Sequence, residues 1–259
     1  HRDVLGIAQT GTGKTAAFVL PMLTLLEQGR ARARMPRTLI LEPTRELAAQ
    51  VEENFGRYVR NHKLNVSLII GGVSFGDQEK KLDRGVDVLI ATPGRLLDHF
   101  ERGKLLLNGV EIFVLDEADR MLDMGFIHDI KKVLAVVPAK KQSLLFSATF
   151  SDEIKALADK LLNQPALIEV TRRNSTVELI AQRIHPVARE KKKELLAHLI
   201  KQGDWHQVLV FTRMKHGANR LAEWLEDHGI GAMAIHGNKS QSARTKALAE
   251  FKAGTLPVL

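Results

Sequence analysis

The sequence predicts an α/β fold in two lobes, each a parallel sheet with helices on its faces. Three observations carry that expectation. Short apolar runs alternate with amphipathic helical stretches along the whole chain, the pattern of strand–helix–strand units. Several of those runs end in a corner of small, polar and charged residues, where open parallel sheets bind their ligands. A polar stretch without periodicity, Thr171–Glu178, then separates two such series, which places a first lobe at 1–170, a linker at 171–179 and a second lobe at 180–259.

The elements follow in order. Val4–Ile7 is short and apolar enough for a buried strand, and Thr15–Leu26 for a helix packed on the core. Arg30, Arg32, Arg34 and Arg37 crowd a stretch without hydrophobic periodicity, read as a solvated loop. Thr38–Glu42 is the next strand, and Thr44 is placed to cap the helix after it, with Leu47 its first core residue. Val86–Ala91, Ile112–Leu115 and Ser143–Phe146 are further strands. Ser151, followed by Asp152 and Glu153, is a helix N-cap with acidic residues in the first turn, and Leu157, Ala158, Leu161 and Leu162 mark that helix's buried face. In the second lobe we expect strands at Gln182–Val187 and Gln207–Phe211. Helices are expected after Arg189 (carrying Lys191, Lys192 and Lys193 on a solvated face), at Met214–His228 around Leu221, Ala222 and Leu225, and at Ser240–Ala253. Thr255–Leu259 begins one more strand.

Two segments carry chemistry. Ala8–Thr15 reads Ala-Gln-Thr-Gly-Thr-Gly-Lys-Thr. Gly11 and Gly13 permit a tight turn with inward-facing amides leading into a helix N-terminus, a nest for phosphate. Gln9, Thr10, Gly11, Thr12, Gly13, Lys14 and Thr15 are the candidate triphosphate-binding residues, with Lys14 reaching the β- and γ-phosphates and the Thr15 hydroxyl ligating Mg²⁺. The general pattern has Gly where Ala8 stands. Gly11-x-Gly13-x-x-Ala16 also fits a dinucleotide fingerprint, but a lysine directly after the last loop glycine suits a triphosphate, and the acidic residue of that fingerprint has no clear counterpart. The second segment, Asp116–Asp119, follows Ile112–Leu115. Asp116 at a strand end can hold Mg²⁺, and Glu117 beside it can orient and deprotonate a water. A competing reading makes these carboxylates helix-start residues.

Further corners repeat the strand-end design. Pro43, Thr44 and Arg45 offer amides, a hydroxyl and a guanidinium to a phosphate backbone, although Thr44 also serves as an ordinary cap. Thr92, Pro93, Gly94 and Arg95 do the same after Val86–Ala91. With Ser151 as the cap of its helix, Ser147 and Thr149 are left for another task. Thr212 and Arg213 end a strand. Gln241 and Arg244 stand three apart on one helix face, which a solvated polar face also explains.

The ordered series resembles the DEAD-box ATP-dependent RNA helicases, and within them the bacterial RhlE-type branch. It runs Ala8–Thr15, Pro43–Ala48, Gly71-Gly72, Thr92–Arg95, Asp116–Asp119, Ser147–Thr149, Val210–Arg213, His236-Gly237 and Gln241-x-x-Arg244. The resemblance implies an α/β fold of two RecA-like lobes, the second incomplete here, and an enzyme that uses ATP with Mg²⁺ to unwind short RNA duplexes as ATP and RNA close the lobes together. It implies catalysis by Lys14, Asp116 and Glu117, and coupling of nucleotide to RNA through Ser147 and Thr149, by hydrogen bonds to the acidic cluster. Grip on RNA backbone falls to Pro43, Thr44, Arg45, Gly71, Gly72, Thr92, Pro93, Gly94 and Arg95. The second lobe adds Thr212, Arg213, His236, Gly237, Gln241 and Arg244. The family's adenine-reading segment and its arginine finger have no counterpart within the 259 residues. The chain as it stands is therefore expected to hydrolyse ATP and discriminate adenine poorly, and an RNA-binding or annealing module is the alternative reading. A DNA-translocating helicase is a third.

Composition bounds the rest. A net charge of +8 suits a polyanionic partner. Two Trp and one Tyr leave little for base stacking, so backbone contact with weak sequence preference is expected. The chain has no cysteine, which excludes disulfides and thiolate–zinc sites and fits a cytoplasmic protein. No apolar run is long enough to span a membrane, and we expect a monomer.

Overall fold

The computed structural model describes residues 2–9, 11–170 and 181–259. Thr10 and the expected linker at 171–179 lie outside the described residues. The chain divides between residues 174 and 175 into two compact units.

The first unit contains β1 (Val4–Ile7), α1 (Lys14–Leu26), β2 (Thr38–Leu41), α2 (Arg45–Tyr58), β3 (Val66–Ile69), α3 (Phe75–Asp83) and β4 (Val88–Ala91). It continues with α4 (Pro93–Glu101), β5 (Ile112–Leu115), α5 (Ala118–Asp123), α6 (Ile127–Val136), β6 (Gln142–Ser147), α7 (Asp152–Leu161) and β7 (Ala166–Glu169). The seven strands form one parallel sheet in the order β3-β4-β2-β5-β6-β1-β7. β2, β4 and β5 are buried along their whole length, as strands covered on both faces must be. Their side chains alternate between two cores. Leu39, Leu41, Phe113 and Leu115 join Leu96, Met121, Val133 and Leu157 on the side of α4–α7. Ile40, Val114 and Phe146 join Phe18, Met22, Val51 and Phe55 on the side of α1 and α2.

Local chemistry sets the boundaries. Thr44 Oγ1 accepts from the Leu47 amide (3.3 Å) and Ser151 Oγ from the Ile154 amide (3.4 Å), so both expected caps are present. Ala48, not Leu47, is the first fully buried residue of α2. β4 starts at Val88 rather than Val86. Asp87 is turned inward there, and its carboxylate accepts from the Ala31 and Asn65 amides, each at 3.0 Å. Arg37 departs from the solvated loop expected of it. It is 9% exposed, donates to Glu111 Oε1 (2.9 Å) and to the Leu26 carbonyl (3.0 Å), and stands 4.0 Å from Asp87. A guanidinium that satisfies three partners at once is stable under cover where a solvated one gains little. Asp3 bonds the Ser143 amide (2.8 Å) and the Asn163 amide (2.7 Å), tying the start of β1 to β6 and to the approach of β7.

The second unit contains α8 (Lys192–Gln202), α9 (Lys215–Asp227) and α10 (Gln241–Lys252). Its expected sheet is reduced to a parallel ladder in which Val258 bridges Val208 on one side and Ala232 on the other. Val208 N donates to Pro257 O, Val210 N to Leu259 O and Met233 N to Val258 O, at 2.8–3.1 Å. The expected strand at 182–187 is absent. No described segment takes its ladder bonds, and Ile184 is 92% exposed. Around the ladder, Ala197, Ile200, Leu225 and Ile230 form one small core and Ala247, Leu256 and Leu259 another. Trp224 stacks on His228 (ring centroids 3.9 Å apart), with the Lys193 ammonium 4.9 Å from its ring. No helix of the described residues is long and apolar enough to cross a membrane.

Candidate active site and nucleic-acid interface

In a parallel sheet all strands point the same way, so every strand-end corner falls on one rim. The strand order then sorts the corners. Those after β3, β4 and β2 (Ile70–Val73, Thr92–Arg95 and Glu42–Arg45) are neighbours at one end, and those after β5, β6 and β1 (Asp116–Asp119, Ser147–Thr149 and Ala8–Thr15) are neighbours at the other.

On the second half-rim, Gly11 and Gly13 hold φ of +85° and +94°, which only glycine adopts cheaply. A Cβ built on either meets nothing within 4 Å, so the loop opens onto free space. Thr12 Oγ1 donates to Gln9 O at 2.7 Å and braces the turn. α1 starts at Lys14, with Thr15 in its first turn. Lys14 Nζ lies 2.7 Å from Glu117 Oε1, a part-buried ion pair joining the two expected motifs across 103 residues. Glu117 itself takes a left-handed backbone (φ 50°, ψ 48°), uncommon for a residue with a side chain and typical of functional corners.

Asp116 is 4% exposed. Burial is the main cause that pushes its carboxyl up to about 6; Lys14 opposes the shift and Glu117 adds to it. The sequence reading passed over Glu42. Leu41 pairs with Leu115, so the next residues, Glu42 and Asp116, stand on adjacent strand ends. Glu42 is 1% exposed, and its Oε1 meets no hydrogen-bond partner among the described residues. Its carboxyl is held well above the usual range by burial first, then by Asp116 and Glu117, against Lys14. The signal was present in the sequence, since an acid ends the apolar run Leu39-Ile40-Leu41 as Asp116 ends its own.

Three carboxyls against one ammonium, with a buried carboxyl oxygen left without a partner, is a setting that a divalent cation would relieve. Among the described residues no three His, Cys, Asp or Glu side chains are arranged to hold a metal by themselves. Mg²⁺ takes one or two protein ligands and completes its shell with phosphate and water. Asp116 and the Thr15 hydroxyl are the residues that would hold it. Ser147 is buried, and its Oγ accepts from the Thr149 amide (3.3 Å) instead of bonding the acidic cluster.

On the first half-rim, the Arg45 guanidinium lies against Gly71, where a Cβ would come within 2.9 Å of it. Pro43 precedes the Thr44 cap, and Pro93 opens α4 behind Thr92 and the exposed Gly94. Arg95 donates to the Ile70 carbonyl (3.1 Å) and the Val73 carbonyl (2.8 Å), so its guanidinium is turned onto the Gly71-Gly72 loop. Burial lowers its pKa, as do Arg45 and Arg102, while Asp98 raises it. These arginines crowd one surface, as a polyanion site requires.

In the second unit, Thr212 and Arg213 are exposed beyond the ladder, and both line a cavity of about 250 Å³ together with His236. His236 Nδ1 accepts from the Asn238 amide (3.3 Å), which leaves Nε2 to donate to Asn219 Oδ1 (2.9 Å). Gly237 follows beside Lys215, and Gln241 and Arg244 lie on the first turn of α10, capped by Ser240.

Two family patterns match the chain: DEAD/DEAH box helicase over residues 1–157, and helicase conserved C-terminal domain over 191–259. The chain is 41% identical to the ATP-dependent RNA helicase RhlB of Pseudomonas putida, over all of this chain and 67% of that protein. It is also 41% identical to the DEAD-box ATP-dependent RNA helicase CshA of Geobacillus kaustophilus, over all of this chain and 55% of that one. Among solved structures, a DEAD box protein from Methanococcus jannaschii matches with a TM-score of 0.62 at 38% identity, over all of this chain and 69% of that one.

Proposed function

The chain belongs to the DEAD/DEAH box helicase family, and from that premise we propose that it is an ATP-dependent RNA helicase whose hydrolytic centre is the Lys14–Glu117 pair on the sheet rim. The 2.7 Å contact between these two side chains carries the reading. It puts the ammonium that would meet the β- and γ-phosphates beside the carboxylate that would take a proton from water. A γ-phosphate entering the nest competes with Glu117 for Lys14. Once released, the Glu117 carboxylate accepts a hydrogen bond from the attacking water. It removes the proton as the water oxygen bonds to the γ-phosphorus and the bond to the ADP oxygen breaks. Gly11, Thr12 and Gly13 would fix the phosphates through backbone amides, and Asp116 with Thr15 would hold Mg²⁺, which when bound supplies charge neutralisation on the phosphate oxygens. The other half-rim (Pro43–Arg45, Gly71-Gly72 and Thr92–Gly94) would follow RNA backbone without reading bases, with Arg95 bonded to the Ile70 and Val73 carbonyls behind it; in the second unit Thr212, Arg213, His236, Gly237, Gln241 and Arg244 would do the same. Ser147, the last residue of β6, and Thr149 just beyond it lie between the two nucleotide segments and are the positions through which the halves would communicate.

Within the family we assign the chain to the RhlE-type branch on the wording of its motifs; the relatives above carry other names at a similar identity. A cytoplasmic monomer acting on RNA completes the reading.

The test is ATP turnover with and without single-stranded RNA, beside Glu117→Gln. We expect RNA to raise turnover, and the variant to lose about 10²–10⁴-fold while still binding ATP. Turnover that survives the substitution would overturn the base assignment. Stimulation by DNA as strong as by RNA would overturn the substrate.

A further inference from the structure

The Gly71-Gly72 loop leaves β3 and enters α3 as nearly bare backbone. Gly72 sits at φ +78°, and a Cβ on Gly71 would come within 2.9 Å of the Arg45 guanidinium. Glycine-rich segments of this kind do not hold one shape unaided. Here the loop is held from behind. Gln78 Nε2 on α3 donates to the Ile70 carbonyl at 2.9 Å, and Arg95 Nε on α4 donates to the same oxygen at 3.1 Å. Arg95 Nη2 donates to the Val73 carbonyl at 2.8 Å, so both ends of the loop are tied to one guanidinium.

Gln78 is itself fixed. Its amide nitrogen is committed to Ile70, so its Oε1 must accept, and His99 Nε2 lies 2.9 Å from it. His99 is therefore the Nε2–H tautomer. Its Nδ1 is buried and meets no hydrogen-bond partner among the described residues. An acceptor left bare in this way is tolerated more readily than a bare N–H. Both side chains are under cover, Gln78 at 3% exposure and His99 at none. Burial, with Arg95 and Arg102 nearby, lowers the pKa of His99 against Glu79 and Asp98, which keeps it neutral. Phe75, the first residue of α3, packs its ring 4.9 Å from that of His99 and takes the Arg95 and Arg102 guanidinium carbons at 3.8 Å each.

We propose that Gln78, His99 and Arg95 form a buried brace that sets the Gly71-Gly72 loop in its RNA-binding shape, so that Arg95 serves binding through the loop and not as a phosphate partner. The proposal rests on the reading above that this loop meets RNA. Gln78 and His99 are positioning residues: they act on RNA only through the Ile70 carbonyl.

The experiment measures affinity for a labelled oligouridine by fluorescence anisotropy over a range of salt concentrations. The variants are His99→Leu, Gln78→Leu, their double, His99→Gln, Arg95→Gln and a reference, Gly72→Ala. Losing one buried hydrogen bond of the brace should weaken RNA binding about tenfold. His99→Leu and Gln78→Leu should each show that loss, and the double variant no more than either, because the two act in one chain. His99→Gln keeps a donor facing Gln78 and should recover most of the affinity. ATP affinity and RNA-free turnover of the His99 and Gln78 variants should match the parent. The salt slope of Arg95→Gln should also match the parent; a lost direct phosphate contact would lower it by about 0.7, and that result would overturn the role given to Arg95. Parental affinity in His99→Leu and Gln78→Leu, with Gly72→Ala weakened, would overturn the brace alone. Parental affinity in Gly72→Ala would instead overturn the loop as an RNA contact. If His99→Leu fails to fold, Gln78→Leu against Gly72→Ala decides the same question.

Discussion

Asp116 illustrates how one buried carboxyl can be poor for stability while standing where the proposed function needs a charge. Its pKa is raised to about 6 from an ordinary value of 3.8, so the folded chain holds that proton more tightly than the unfolded chain does. Stability therefore falls as pH rises from about 4 to about 6 and stays lower above that window. Without nucleotide or metal, Asp116→Asn should be more stable than the parent at pH 7, by roughly 1–3 kcal/mol. The gain should vanish near pH 4, where both side chains are neutral. Urea denaturation at the two pH values checks this, and a variant less stable at pH 7 would contradict it. Legibility at this scale followed the strength of local signals. Lys14, Asp116 and Glu117 could be named as candidates because each sits in a spacing that suits phosphate or metal chemistry. Glu42, Gln78 and His99 could not, because what distinguishes them is burial against residues distant in sequence.

At the scale of elements, the strand order does the sorting: β3-β4-β2 carries one set of corners and β5-β6-β1 the other. Asp3 holds the base of the second set together by accepting two amide bonds from different strands' surroundings. Replacing it by Ala leaves the buried Ser143 amide and the part-buried Asn163 amide without this partner. It should cost about 2–4 kcal/mol, read as a drop in the urea midpoint, and the loss should shrink in Asp3→Asn, which keeps one acceptor. A change within experimental error would mean that the strand starts are held by packing alone. Most buried strands and both caps were legible because a run such as Ile112–Leu115 or a serine before Asp-Glu has one common use. β3 and β7 were not. Ser67 interrupts the apolar pattern of β3, and β7 at the sheet edge leaves Leu167 and Ile168 more than half exposed, so neither run carried a clear period. The strand expected at 182–187 failed for the converse reason: its apolar residues fit a strand, but a strand is completed only by a neighbour.

The molecule as a whole consists of two units of unequal strength. The first has a sheet covered on both faces, whereas the second rests on a three-segment ladder and two small separate cores. Small cores bury a smaller share of their surface and open at lower free energy. Urea unfolding followed by circular dichroism should therefore show two steps. Limited trypsin digestion below the first midpoint should remove residues 181–259 before it cuts the first unit. A single transition, coincident with loss of both proteolytic products, would contradict this. The two tryptophans of the chain, Trp205 and Trp224, both belong to the second unit, and its single tyrosine, Tyr58, to the first. Indole emission is thus a native optical label for the second unit alone. The residues assigned to ATP all stand in the first unit, so a change in that emission on adding ATP would report an event of one unit through the other, readable in the unmodified protein.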